Sequence, residues 1–120
     1  MEIEILTIGD TRITLLKSPG VVISGIQDAL DLMGEASYRE SYRIIVHKDQ
    51  MTDAFFDLKT GIAGEILQKF STYNLKLAII GDFSQVTSKS LRDFIRESNR
   101  YGRISFVSTL EEAKEKLVKK

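Results

Sequence analysis

The chain has 120 residues, 17 of them basic and 17 acidic, and carries no net charge. Nucleic-acid binders draw much of their affinity from neutralised phosphates, so this balance argues against that class; Lys119-Lys120 is the one strongly basic stretch. There is no cysteine, which removes disulfides, thiolate metal sites and cysteine nucleophiles.

Hydrophobic residues make up 42% of the chain, enough for one core, and the length fits one domain spanning residues 1–120. No apolar run approaches the roughly 18 residues of a membrane span. The first residues carry Glu2 and Glu4 rather than a basic leader, so no signal peptide is expected. The expectation is a cytoplasmic protein with no membrane partner, no cofactor and no metal.

Residues 2–8 alternate apolar and polar, as in a half-buried strand. Gly9-Asp10 is a turn pair and residues 11–16 are again β-rich, so the two segments predict a hairpin. Ser18-Pro19-Gly20 ends it. Ser24, with Gln27 three residues on, has the spacing of a capping box. Ile26, Ala29, Leu30 and Met33 then mark one face of a helix over about 25–37.

Arg43 to His47 reads as a short buried strand. In residues 48–59, Asp49 is a candidate cap for a short turn, and at least one of Phe55 and Phe56 is expected in the core. From Gly61 the pattern is helical, with Ile62, Ile66, Leu67 and Phe70 on one face and an end near Asn74. Leu75 to Ile80 is the most apolar segment and predicts another buried strand, closed by Gly81-Asp82. Thr87, Ser88 and Ser90 are candidate caps for a helix with Leu91, Phe94 and Ile95 inward and Gly102 as its stop. Arg103 to Val107 is the last strand. Thr109 and Glu112 then form a second capping-box pattern before a helix with Leu110, Ala113 and Leu117 inward.

The order is β-β-α-β-α-β-α-β-α. Alternation after the hairpin implies parallel strands joined by crossover helices. The expected fold is α/β: an N-terminal hairpin, then a mixed five-stranded sheet with about four helices.

From Arg43 to Leu117 this order resembles the STAS domain of sulfate transporters and anti-sigma factor antagonists. Asp57-Leu58-Lys59-Thr60-Gly61-Ile62 occupies the place of that family's Asp-Ser-Ser-Gly-Leu loop. Leu77-Ala78-Ile79-Ile80-Gly81 matches its apolar strand, and Thr109-Leu110-Glu111-Glu112-Ala113 its closing helix. The resemblance implies a STAS-like sandwich and places Thr60 at the family's phosphoacceptor. Lys59, where the family has an acid, and extra residues between His47 and Thr60 depart from that pattern. Residues 55–70, with Ile80-Gly81-Asp82-Phe83 and residues 93–99, more closely resemble an uncharacterised bacterial family, a domain of unknown function. That resemblance spans nearly the whole chain and implies no established activity.

Thr60 precedes Gly61 at a helix start, where free N–H groups and the helix dipole favour an anion. It reads as a phosphoacceptor or as a plain N-cap. His47, Asp82 and Ser84 follow strands, at the sheet edge where α/β ligands bind, and Asp57 shares the Thr60 loop. His47, Asp82 and Thr60 have the residue types of a base, an acid and a nucleophile; each reads equally as a strand end, a turn or a cap. No catalytic residue is assigned.

Two functional readings follow. One is a non-enzymatic regulatory or protein-interaction module, binding another protein or a second copy of itself through the Thr60 loop and the next helix. The polar stripe of Glu65, Gln68 and Lys69 and that of Arg92, Arg96, Glu97 and Asn99 could share that surface. The other is a small-molecule or nucleotide-binding protein, with or without enzymatic activity, with a site formed by His47, Thr60, Asp82 and Ser84.

Overall fold

A computed structural model describes residues 1–118; the Lys119-Lys120 pair lies outside it. Strands β1 (Ile3–Ile8) and β2 (Thr11–Leu16) form the hairpin, running antiparallel with Ile3 opposite Leu16. Strands β3 (Arg43–His47), β4 (Lys76–Ile80) and β5 (Ile104–Val107) add in parallel, in the spatial order β1-β2-β3-β4-β5. The expected mixed five-stranded sheet with an N-terminal hairpin is what forms.

Each crossover moves one strand further along the sheet, so crossovers of one hand put their helices on one face. The packing agrees. Leu16, Ile44, Val46, Leu77, Ile79, Ile104 and Phe106 face α1 (Ile26–Tyr38), α3 (Ile62–Thr72) and α4 (Lys89–Tyr101). Ile13, Leu15, Ile45, Ala78, Ile80 and Val107 face the other way, onto Ala113 and Leu117 of α5 (Leu110–Val118). Both faces are covered, which is why Ile44–Val46 of β3 and Leu77–Ile80 of β4 are apolar without alternation. Burying each large side chain contributes about 1.5–3 kcal/mol.

Several local details differ from the sequence reading. Ser24 does not cap α1; the N-cap is Gly25, and Ser24 donates its backbone N–H to Asp28 Oδ2 at 2.8 Å. Residues 48–60 fold as three short turns: a 3-10 turn (Lys48–Gln50), α2 (Asp53–Phe56) and a second 3-10 turn (Leu58–Thr60). Asp49 lies inside the first turn, and Thr52 caps α2 by accepting from Ala54 N at 3.4 Å. Phe55 is fully buried and Phe56 half-buried. Ser88 caps α4 and Gly102 ends it, as the pattern predicts. At the last helix Thr109 accepts from Glu112 N, but the Glu112 carboxylate takes the Ser108 hydroxyl instead of closing a box.

Candidate functional site

The carboxyl ends of β3 and β4 lie side by side, with His47 the partner of Ile80. The chain then turns at Gly81, whose backbone N–H donates to Val107 O at 2.9 Å. Lys48 lies against this turn, and its Nζ stands 5.7 Å from the Phe56 ring centroid and 5.6 Å from that of Phe83. Phe83 packs edge-on to Phe106 at 5.2 Å, and Phe56 edge-on to Phe55 at 5.0 Å. The rim of the sheet is therefore filled by aromatic packing topped with one cation. Such pairs contribute about 0.5–1.5 kcal/mol each, with about 0.5–1 kcal/mol more for an exposed cation over a ring.

Beneath this rim Gln50 is buried and fully used. Its Oε1 accepts from His47 N at 2.7 Å, and its Nε2 donates to Leu16 O at 3.0 Å and Ser18 O at 2.9 Å. Its own carbonyl accepts from Val22 N and Ile23 N. One side chain thus ties β2, β3 and the segment before α1 together.

The sequence-predicted residues fall into two groups. Asp82 and Ser84 form a closed turn: the carboxylate accepts from Ser84 Oγ at 2.6 Å and Ser84 N at 2.9 Å. These bonds hold the Asp82 carboxyl below the usual carboxylate range, with the Lys48 charge adding to them. Asp57, Thr60 and Gly61 form the second group. The Thr60 hydroxyl lies 2.7 Å from Ala54 O and 2.9 Å from Asp57 O, and accepts from Ile62 N at 3.3 Å. Asp57 caps the second 3-10 turn through Lys59 N at 3.2 Å. Gly61 ends that turn and starts α3 at φ 78°, a conformation that costs other residues about 1–2 kcal/mol.

His47 is exposed, and among the described residues its imidazole makes no hydrogen bond to Asp82 or Thr60. The two groups approach each other through Phe56 and Phe83, whose centroids are 6.1 Å apart. Sequence reasoning missed Lys48, Gln50 and Phe83. Apart from the bond of Gln50 to His47 N, three residues away, their partners come from distant segments.

Three depressions adjoin these elements. One of about 250 Å³, lined by Lys48, Asp82, Ser88 and Leu91 among others, opens between the rim and the start of α4. The other two flank α3. The groove toward α1, about 330 Å³, has Leu30, Met33, Tyr73 and Leu75 in its walls. The groove toward α4, about 400 Å³, has Leu67, Ser71, Phe94 and Tyr101. Tyr73 is 59% and Tyr101 80% exposed. Among the described residues no three His, Asp or Glu side chains are grouped to hold a metal ion, and no helix is long and apolar enough to cross a membrane.

An α/β domain with its crossover helices on one face of a mixed sheet is the class these features define. Residues 8–117 match the family described as a domain of unknown function, DUF4180, and the chain belongs to that family. No curated protein and no solved structure matches it.

Proposed function

We propose that this protein is a cytoplasmic, non-enzymatic regulatory module that binds a segment of another protein along α3. The observation that carries the reading is the pair of grooves flanking α3, each with apolar walls and an exposed tyrosine. Tyrosine offers a large contact area and a polar tip, the combination enriched at interface hot spots. The rim residues support the same reading, because Asp82, Ser84, Thr60 and Gln50 direct their hydrogen bonds to nearby groups of the chain. The strand–helix order supports a STAS-like fold.

Phosphorylation of Thr60 belongs to this proposal. A phosphoryl group there would end the donation to Ala54 O and Asp57 O and place about −1.5 to −2 charges at the start of α3. The switch would thus act on the element that forms the docking surface.

The test uses the protein as bait in its native host, with quantitative mass spectrometry. Ser71→Arg fills the α3–α4 groove and Tyr101→Glu charges its exposed tyrosine, while Glu115→Lys alters α5 on the other face. A partner retained by the wild type and by Glu115→Lys, and lost with the two groove variants, supports the reading. Equal recovery with all four baits refutes it.

A second reading, a small-molecule or nucleotide site, rests on the cleft of about 250 Å³ where Lys48 and Asp82 meet the start of α4, at the strand ends where such ligands bind. A thermal-shift series of nucleotides and small anions tests it, since binding to the native state raises apparent stability. A flat response across the series removes it.

A further inference from the structure

Strand β1 stands at the end of the sheet, and among the described residues it pairs with β2 alone. Lys17 N donates to Glu2 O at 2.8 Å, and these two residues are opposite each other, one step beyond the Ile3–Leu16 pair. Hydrogen-bonded and non-hydrogen-bonded pairs alternate along an antiparallel ladder. Glu2, Glu4, Leu6 and Ile8 therefore turn their backbone groups toward β2, while Ile3, Ile5 and Thr7 turn theirs outward. Each of those three residues offers one N–H and one C=O along the free edge.

Such an edge is a template for another strand, and proteins usually blunt it with lysine, proline or a bulge. Strand β1 has none of these. Its register with β2 runs unbroken from Ile3 to Ile8, and its one charged residue is Glu4. Lys17 Nζ lies 3.7 Å from the Glu4 carboxylate, so an incoming strand meets a largely neutralised charge. Ile3 packs onto the core, and Ile5, next along the same face, is half-buried.

We propose that β1 pairs antiparallel with β1 of a second copy of this chain, joining two sheets across a twofold axis at Ile5. Outward-facing residues must meet outward-facing residues. Centring on Ile5 sets Ile5 opposite its own counterpart and Ile3 opposite the second copy's Thr7, which matches every outward N–H and C=O of both strands. Glu4 then faces the second copy's Leu6, and Glu2 its Ile8, so no carboxylate meets another. A twofold at Glu4 would set the two Glu4 side chains against each other, which is unfavourable. A twofold at Leu6 would carry Ile3 past the strand end onto Gly9, which sits in the turn at φ 59°. Ladder and charge thus select the same register, and the zero net charge of the chain adds no repulsion between copies. One strand edge is smaller than a standard interface of about 1,600 Å², so a dissociation constant in the roughly micromolar range is expected. This surface is independent of the docking reading for α3.

Sedimentation equilibrium over a range of protein concentrations tests the dimer. A monomer–dimer equilibrium is expected. Ile5→Lys and Ile5→Glu each set like charges opposite one another and should weaken association by about tenfold or more. An equimolar mixture of the two variants should recover it, because opposite charges then meet. Cysteine pairing gives a second readout that tolerates loss of either charged variant, since the chain has no cysteine of its own. Ile5→Cys should form an interchain disulfide under mild oxidation, because Cα atoms of a hydrogen-bonded pair are about 5.5 Å apart. Thr7→Cys, at a more exposed position, should not, because its Cα and that of its counterpart would be roughly 14 Å apart. A monomer at every concentration, a dimer unaffected by Ile5→Lys, or cross-linking at position 7 as readily as at position 5 overturns the proposal.

Discussion

Gly81 and Lys48 are packed so closely that a Cβ on Gly81 would lie 2.8 Å from Lys48 Cβ and 3.2 Å from Lys48 Cδ. The Lys48 Cβ is fixed by its own backbone and cannot swing aside. Phe83 Cζ would also be 3.2 Å away. Gly81→Ala should therefore destabilise the protein by about 1–3 kcal/mol, as overpacking does, and disturb the Lys48–Phe83 contact. Urea unfolding measures the first effect and the Phe83 ring resonances the second.

Thr14 and Ser105 are buried, and their hydroxyl oxygens have no hydrogen-bond partner among the described residues. An unpaired buried hydroxyl costs about 1–3 kcal/mol. Thr14→Val keeps the side-chain shape and should raise stability by about 1–2 kcal/mol, with Ser105→Ala acting in the same direction. A lower urea midpoint for Thr14→Val would show that the hydroxyl has a partner.

Helices α1 and α3 end in the same way. Ser41 N returns to Ala36 O and Leu75 N to Phe70 O, with Glu40 and Asn74 left-handed at φ 57° and 56°. Asparagine tolerates that conformation, whereas glutamate adopts it at a cost of about 1–2 kcal/mol. Glu40→Gly should stabilise by about 0.5–1 kcal/mol. The lost Arg12–Glu40 pair, exposed and 3.9 Å long, offsets little of this.

The pH dependence follows from Asp82 and Asp93. Ser84 hydrogen bonds lower the pKa of Asp82, and Lys89, then Arg96, lower that of Asp93. A carboxyl with a depressed folded-state pKa stabilises the protein above its unfolded pKa, and that contribution disappears as pH falls through the folded value. Asp82→Asn should therefore cost stability at neutral pH, and its gap from the wild type should close on acidification. A gap independent of pH would mean that the charge of Asp82 plays no part.

Thr60→Val removes the hydroxyl contacts to Ala54 O, Asp57 O and Ile62 N. A loss of about 1 kcal/mol is expected, with faster hydrogen exchange confined to residues 54–63. Thr60→Glu should produce the same local loosening and, under the switch proposal, change partner binding as well.

The parallel strands were legible in the sequence because both faces of the sheet are buried, so Ile44 to Val46 and Leu77 to Ile80 appear as plain apolar runs. The amphipathic faces of α1, α3 and α4 were legible for the matching reason. Residues 48–60 were not, because what shapes them is distant: Gln50 answers carbonyls 34 and 32 residues away, and Lys48 answers Phe83. The Ser24 capping box failed because Asp28 reaches back to Ser24 N and leaves Gly25 at the cap. Of the site residues, Asp82 with Ser84 and Asp57 with Thr60 were short-range pairs that spacing could suggest.

Site-specific photocrosslinking tests the docking proposal most directly. A benzophenone side chain at position 68, 101 or 115 is activated in the native host, and the adducts are mapped by mass spectrometry. The account predicts one discrete partner joined at 68 and 101 on the α3–α4 side, and none at 115 on α5. An adduct of twice the chain mass would replace the heterologous partner with a second copy. The same adduct from all three positions, or adducts from 115 alone, would contradict a docking surface built on α3.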